Sequence, residues 1–288
     1  MGFTVVGIGE LLWDMFPEGK KLGGAPANFA YHCKAFGLES FPVSCLGDDD
    51  LGRKILPVLE SHDVDVSFVA TDAEHPTGTV SVELDEDGKP EYIIHENVAW
   101  DHIPLTDELI TLAGKTDAVC FGSLAQRSET SRQTIQKFLQ ATKPDCIKIY
   151  DINLRQHYYS GELIEKMLEL STVLKLNDEE LPVVAEVMGI SGDEKSLIEQ
   201  IASRYSLDLV ALTKGGNGSC LYHDGSFSEH DGYKAEIVDT VGAGDSFTAV
   251  LAAGLLLNYD LDKMNDLANK TAAYVCSQSG AMPKMLSY

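Results

Sequence analysis

Short apolar runs recur along the 288 residues at Thr4–Ile8, Val43–Leu46, Ala118–Phe121, Ile147–Tyr150, Val173–Leu176 and Leu209–Leu212, with helix-length stretches such as Ser131–Ala141 between them. Runs this short, apolar throughout and bounded by polar residues, read as strands covered on both faces. Strands of that kind alternating with helices predict an α/β fold around a mostly parallel sheet.

Between Thr77 and His95 the pattern changes to alternation. Val80, Val82 and Leu84 share one face, Asp85-Glu-Asp-Gly88 supplies turn residues, and Tyr92-Ile-Ile94 returns. That is the signature of an antiparallel hairpin. It fits either an edge of the main sheet or a small lid built with a strand Leu11–Phe16, and the sequence leaves both open. Without internal repeat, low-complexity tract or Pro-rich linker, residues 1–288 read as one unit, with lid strands inserted at roughly 11–22 and 77–100.

Composition narrows the partners. Hydrophobic residues at 44% suffice for a sizeable core, while 45 acidic against 22 basic residues give a net charge of −23. This charge excludes nucleic acid as an expected partner, because that affinity depends on Lys and Arg displacing counterions. It also repels a nucleoside triphosphate at long range, so a phosphate site must work through local backbone dipoles and metal ions. No apolar run reaches the length of a membrane span, and Met1–Gly9 has neither a basic n-region nor a long apolar h-region. Val6 stands where a myristoylation signal needs Ser or Thr. The expectation is a cytoplasmic protein with no membrane partner. Six cysteines without a C-x-x-C pair read as buried reduced thiols.

The glycine-rich turn sought lies at Gly242-Ala243-Gly244-Asp245, ahead of the apolar run Ser246–Leu257. A run apolar on nearly every face predicts a buried helix. Glycines let the backbone approach a ligand, and unpaired first-turn N–H groups favour negative charge there. Asp245, kept ionised by the helix dipole, could then accept a proton from an alcohol beside this cradle. Spacing alone equally allows an ordinary loop followed by a plain N-terminal helix charge.

Asp239-Thr-Val-Gly-Ala-Gly-Asp-Ser-Phe-Thr248 resembles the second signature of the ribokinase-like (PfkB-type) carbohydrate kinases, and Gly23-Gly-Ala-Pro-Ala-Asn-Phe-Ala30 resembles the first. The two stand in the family's order, and the resemblance runs from the first strand to Gly280. It implies a three-layer ribokinase-like sandwich with a small β lid, and transfer of a phosphoryl group from ATP to a sugar. In that reading Asp245 deprotonates a sugar hydroxyl and the Gly242, Ala243 and Gly244 amides form an anion hole. Asp14, Gly24 and Asn28 would contact sugar hydroxyls, the kind of hydrogen-bonding site that rejects analogues lacking them. Gln126, after the strand Ala118–Phe121, is a further sugar candidate at the carboxyl edge where α/β sheets bind ligands.

Asp151-Ile-Asn153-Leu-Arg155 is similar to the D-x-N-x-R stretch of fructokinase and 2-keto-3-deoxygluconate kinase relatives. Arg155 would neutralise developing phosphoryl charge, or else pair structurally with Asp151. Asn177-Asp-Glu-Glu180 resembles the N-x-x-E motif that acts on magnesium largely through water, although such acidic residues also suit a helix start. Thr213-Lys-Gly215-Gly216-Asn-Gly218 resembles the loop that receives the ATP phosphates, and Asn269 matches a position on the adenine pocket. The resemblance further implies a monovalent cation held by Asp239 and carbonyls near Val241, Val275 and Gly280. Departure from the family pattern at Gly280-Ala-Met-Pro283 leaves potassium activation open. A homodimer through the lid strands is compatible with the resemblance.

A dinucleotide oxidoreductase is opposed by Leu12, which stands where G-x-G-x-x-G after Gly7-Ile-Gly9 needs its third glycine. An inactive sugar-binding regulator is opposed by retention of Asp245, the glycines, Asn177 and Glu180. Trp13-Asp14, Gly23–Asn28 and Gly122–Arg127 together resemble bacterial fructokinases, implying fructose phosphorylated at C6. 2-Keto-3-deoxygluconate kinase comes next, then ribokinase or nucleoside kinase.

Overall fold

The computed structural model describes residues 2–16, 19–84 and 90–285. The chain begins with β1 (Thr4–Ile8), β2 (Leu12–Phe16), β3 (Gly19–Gly23) and α1 (Ala25–Lys34), then β4 (Glu39–Gly47), α2 (Gly52–Ser61), β5 (Val69–Asp72), β6 (Gly78–Leu84) and β7 (Pro90–Ile94). Its middle runs α3 (Asp107–Ala113), β8 (Ala118–Phe121), α4 (Glu129–Ala141), β9 (Ile147–Asp151), α5 (Gly161–Leu170), β10 (Val173–Asn177), α6 (Glu180–Met188) and α7 (Glu194–Tyr205). It closes with β11 (Leu209–Thr213), β12 (Ser219–His223), β13 (Ser226–His230), α8 (Ala243–Leu256) and α9 (Leu261–Cys276).

Every apolar run singled out in the sequence is a strand of one large sheet, ordered β13-β12-β11-β10-β9-β8-β1-β4-β5. From β5 to β11 all neighbours are parallel, and β12 and β13 close one edge antiparallel. Side chains alternate across this sheet. Val6 and Ile8 join a core with helices α3 to α7 on one face, and Val5 joins α1, α8 and α9 on the other. Covering both faces is why these strands are apolar without alternation.

The hairpin β6–β7 is not an edge of this sheet. β2 pairs parallel with β6 and antiparallel with β3, giving a separate four-stranded sheet ordered β3-β2-β6-β7. Leu12, Val80 and Ile94 are buried in the larger core, so one face of the small sheet packs down and the other stays wet, as its alternation requires. The expected turn Asp85–Gly88 and the side chains of Val82 and Leu84 lie outside the described residues.

α8 is enclosed between α1 and α9, and everything from Ser246 to Gly254 is buried. α1 begins at Ala25, three residues before Asn28, with Pro26 in its first turn, where its missing N–H is no loss. Among the described residues no helix is long and apolar enough to cross a membrane. All cysteines are free, and Cys276 is half-buried while the rest are buried.

Candidate active site

The parallel strands β1, β8, β9 and β10 end side by side, and their carboxyl ends meet the small sheet and the start of α8 around a cavity of about 840 Å³. This is where an open α/β sheet binds ligands. Asp14, Gly24, Asn28, Arg155, Val241, Gly242, Gly244 and Asp245 all line it, although they come from four separate stretches of chain.

Asp245 lies in the first turn of α8, and no side chain caps that turn. Gly242 makes the turn possible. Its φ of +81° is left-handed, and a Cβ there would fall 2.7 Å from the Ala281 backbone. The Ala243 amide bonds to the Thr240 carbonyl at 3.3 Å, whereas Gly242 and Gly244 line the cavity. Asn28, buried in α1, donates from Nδ2 to Asp245 Oδ2 at 2.7 Å and keeps its Oδ1 without a protein partner. Burial, and then the charge of Asp151, raise the Asp245 pKa to about 6; the Asn28 bond, Lys175 and Arg155 restrain the rise. At neutral pH the group is therefore an ionised base close to its operating point.

Asp151 does not pair with Arg155. Its Oδ1 accepts from Lys175 Nζ at 3.0 Å and its Oδ2 from Thr248 Oγ1 at 2.8 Å. β9 and β10 set Asp151 directly opposite Lys175, and both are buried, so charge pairing and a shared register coincide. Burial would push the Lys175 ammonium down, but Asp151, Glu180 and Asp245 hold it above its usual value. A Cβ on Gly244 would sit 3.3 Å from this ammonium, which therefore underlies the glycine turn. Arg155 is exposed in the cavity, and its Nη1 donates to the Leu154 carbonyl. Asn153 and Gln156 on either side take left-handed φ values of 42° and 48°, so this loop is held in a demanding conformation. Gln156 Nε2 ties it to the Tyr92 carbonyl of β7.

Two further carboxyls face the cavity. Glu10 follows β1, and burial raises its pKa to about 7. Asp14 on β2 is also raised by burial, against the lowering influence of Arg155 and Lys21.

The other anticipated residues stand apart. Asn177 and Glu180 cap α6 reciprocally: Asn177 Oδ1 accepts from the amides of Glu179 and Glu180, and Glu180 Oε2 accepts from the Asn177 amide. This is capping-box geometry, and the remaining Glu180 oxygen accepts from the Leu154 amide, fixing the Arg155 loop. Each oxygen keeps one lone-pair direction, which suits a water-bridged cation better than direct ligation. Thr213 is Asn177's register partner, so the Gly215–Gly218 loop adjoins this edge; Gly215 and Gly216 are exposed with open space, while Gly218 is buried at φ +83°. Asn269 adjoins β12 rather than opening to the surface. It is buried on α9, and its Nδ2 donates to Ser219 Oγ and to Asn265. Gln126 is fully buried outside the cavity, with Nε2 donating to the Gly122 carbonyl at 2.8 Å. Asp239 accepts from the amides of Val241 and Gly280 and from Lys21, and Val275 is buried.

Lys175 and Glu10 had been given no role in the sequence. Lys175 could have been found as the one charge inside Val173–Leu176, and Glu10 as the acid directly after the first strand.

A family model described as "pfkB family carbohydrate kinase" matches residues 16–287. The fructokinase of Klebsiella pneumoniae is 30% identical over 273 residues, covering 91% of this chain and 87% of that protein. An uncharacterized sugar kinase of Pyrococcus horikoshii, solved in complex with ATP, superposes with a TM-score of 0.83 at 27% identity, covering 96% of this chain and 94% of that one. The 2-dehydro-3-deoxygluconokinase of Thermotoga maritima superposes at 0.85 with 20% identity, covering 98% and 96%, a likeness of fold alone.

Proposed function

The chain belongs to the pfkB family of carbohydrate kinases, and we propose that it is a fructokinase transferring the γ-phosphoryl group of ATP to the C6 hydroxyl of fructose. The observation that carries this reading is the 2.7 Å bond between Asn28 and Asp245, which brings the two signature segments together on one cavity. Asp14 and Glu10, beside Asn28 on the cavity wall, offer hydrogen-bonding partners to several hydroxyls. Asp245 takes the proton of the acceptor hydroxyl as its oxygen attacks the γ-phosphorus, and ADP leaves. Gly242 and Gly244 at the start of α8 and the Arg155 guanidinium face the charge that builds on the transferred group, while the Ala243 amide stays bonded within the turn. Magnesium carried with the triphosphate would neutralise phosphate charge, and Asn177 and Glu180 are the residues that would hold it, through water. Thr213 and the Gly215, Gly216 and Gly218 loop are assigned to the phosphates, and Asn269 stabilises the adjoining wall through Ser219.

Charge supports a neutral sugar. Glu10, Asp14, Asp151 and Asp245 face the cavity against Arg155 and Lys175, and Lys175 is already paired. A second reading, phosphorylation of a sugar acid such as 2-keto-3-deoxygluconate, is favoured by Arg155, whose exposed guanidinium could receive a carboxylate. ADP release measured over fructose, ribose, 2-keto-3-deoxygluconate and adenosine decides between them. Fructose is expected to have the highest kcat/KM; absence of that preference sinks the fructokinase reading.

A further inference from the structure

Lys21 of β3 stands directly opposite Asp14 of β2, so both side chains leave the same face of the small sheet. Its ammonium does not stop at Asp14. It crosses to Asp239, 218 residues away and just before the Gly242–Asp245 turn, where Nζ donates to Oδ2 at 3.0 Å. The same carboxylate accepts from the amide of Val241 at 3.1 Å and from that of Gly280 at 3.2 Å. Burial pushes the Asp239 carboxyl up, but the Val241 amide, Lys21 and the Gly280 amide together hold it below the usual value. Asp239 is therefore an anion compensated from within the chain.

A monovalent cation beside Asp239 needs open oxygens, and these residues do not fit that need. A carboxylate has about four lone-pair positions, and donors already take three at Asp239. The one remaining position is on Oδ1, and a cation there would meet the Lys21 ammonium across the same carboxylate, which like-charge repulsion opposes. Two of the neighbouring carbonyls are engaged as well. Val275 accepts from the Gln278 amide at 3.0 Å, and Ala281 bonds with the buried His32 ring at 2.9 Å. Met282, in the segment that departs from the family pattern, packs in a core cluster with Leu11 and Trp13, which leaves little freedom to turn these carbonyls.

We propose that the Lys21 ammonium takes the place of a monovalent cation at the phosphate-side turn, so that turnover needs no potassium and depends on the small sheet carrying Lys21 onto Asp239. The inference rests on the kinase reading of the same site. Lys21 is a positioning residue here. It touches neither reacting group, but it joins the strand bearing Asp14 to the turn bearing Asp245. An isolated half-exposed ion pair would have little effect, so the test must separate the two roles.

The full chain is compared in potassium chloride and in tetramethylammonium chloride at equal ionic strength, as wild type, Lys21→Met and Lys21→Arg. Both sugar-dependent ADP release and Tm are recorded. Wild type is expected to keep the same rate within about twofold and the same Tm in both salts, as is Lys21→Arg. Lys21→Met should lose about tenfold in kcat in tetramethylammonium, recover in potassium, and gain a potassium-specific rise in Tm. The proposal is overturned if potassium speeds the wild type more than about fivefold or raises its Tm, or if Lys21→Met keeps the wild-type rate without it. Should no sample phosphorylate a sugar, the kinase reading fails, while the Tm comparison still decides the cation question.

Discussion

Asn28 Nδ2 donates to Asp245 Oδ2 over 2.7 Å, joining α1 to the first turn of α8 across 217 residues of sequence. The bond lowers the pKa that burial raises, and it holds the carboxylate in one orientation with its charge at the cavity. The two signature segments thus share one hydrogen bond.

Asp245→Asn keeps that neighbourhood in shape but removes the proton acceptor. Its kcat should fall by about 10³-fold or more, with sugar affinity by calorimetry changed less than about threefold. Unchanged kcat would remove Asp245 as the base.

A base with its pKa raised to about 6 makes kcat/KM fall as pH drops through that value, because the protonated carboxyl cannot accept. Arg155→Met removes a charge that favours ionisation, so the acid limb should move to higher pH. A pH profile whose limb is unmoved in this variant contradicts the assignment.

Glu10 supplies an independent pH test. Its carboxyl is raised from 4.5 to about 7, so the folded state holds the proton more tightly than the unfolded chain. Stability from this group is complete below about pH 4.5 and is lost as pH rises through about 7. In urea titrations across that window, the wild type should lose stability relative to Glu10→Gln; a constant difference would refute it.

Lys175→Met leaves Asp151 buried with only Thr248 as a side-chain partner. Removing one member of a buried pair costs about 3–5 kcal/mol, and Asp151→Asn together with Lys175→Met should cost less than the single change. Urea unfolding of the three variants checks the order.

At Gly242 a methyl group meets both a left-handed φ and the Ala281 backbone. Gly242→Ala should lower stability by about 1–3 kcal/mol and turnover by about 100-fold. Gly225, at φ +77° with open space around it, is the control: alanine there strains the backbone but should leave kcat unchanged.

Much of this architecture was legible because burial leaves a local trace. The strand β1 must be apolar at Val5 as well as at Val6 and Ile8 because opposite helical layers cover its two faces. The alternation around Val80 equally betrays a sheet with one wet face, but not which sheet it joins, since an edge and a separate layer ask for the same pattern. The N-x-x-E stretch is ambiguous in a different way. Its spacing serves a capping box and a metal motif alike, and the hydrogen bonds show the first directly.

By itself the sequence determined the six buried strands of the large sheet alternating with helices, the β6–β7 hairpin, the glycine turn before α8, and the family to which both signatures belong, since each is encoded by neighbouring residues. Only the tertiary structure decided that Asp151 faces Lys175 rather than Arg155, that Asn28 meets Asp245, and that Lys21 reaches Asp239. These partners are 24, 217 and 218 residues apart. Their meeting depends on strand register and on how α1, α8 and the small sheet pack, and the sum of many weak contacts sets that packing rather than any local pattern.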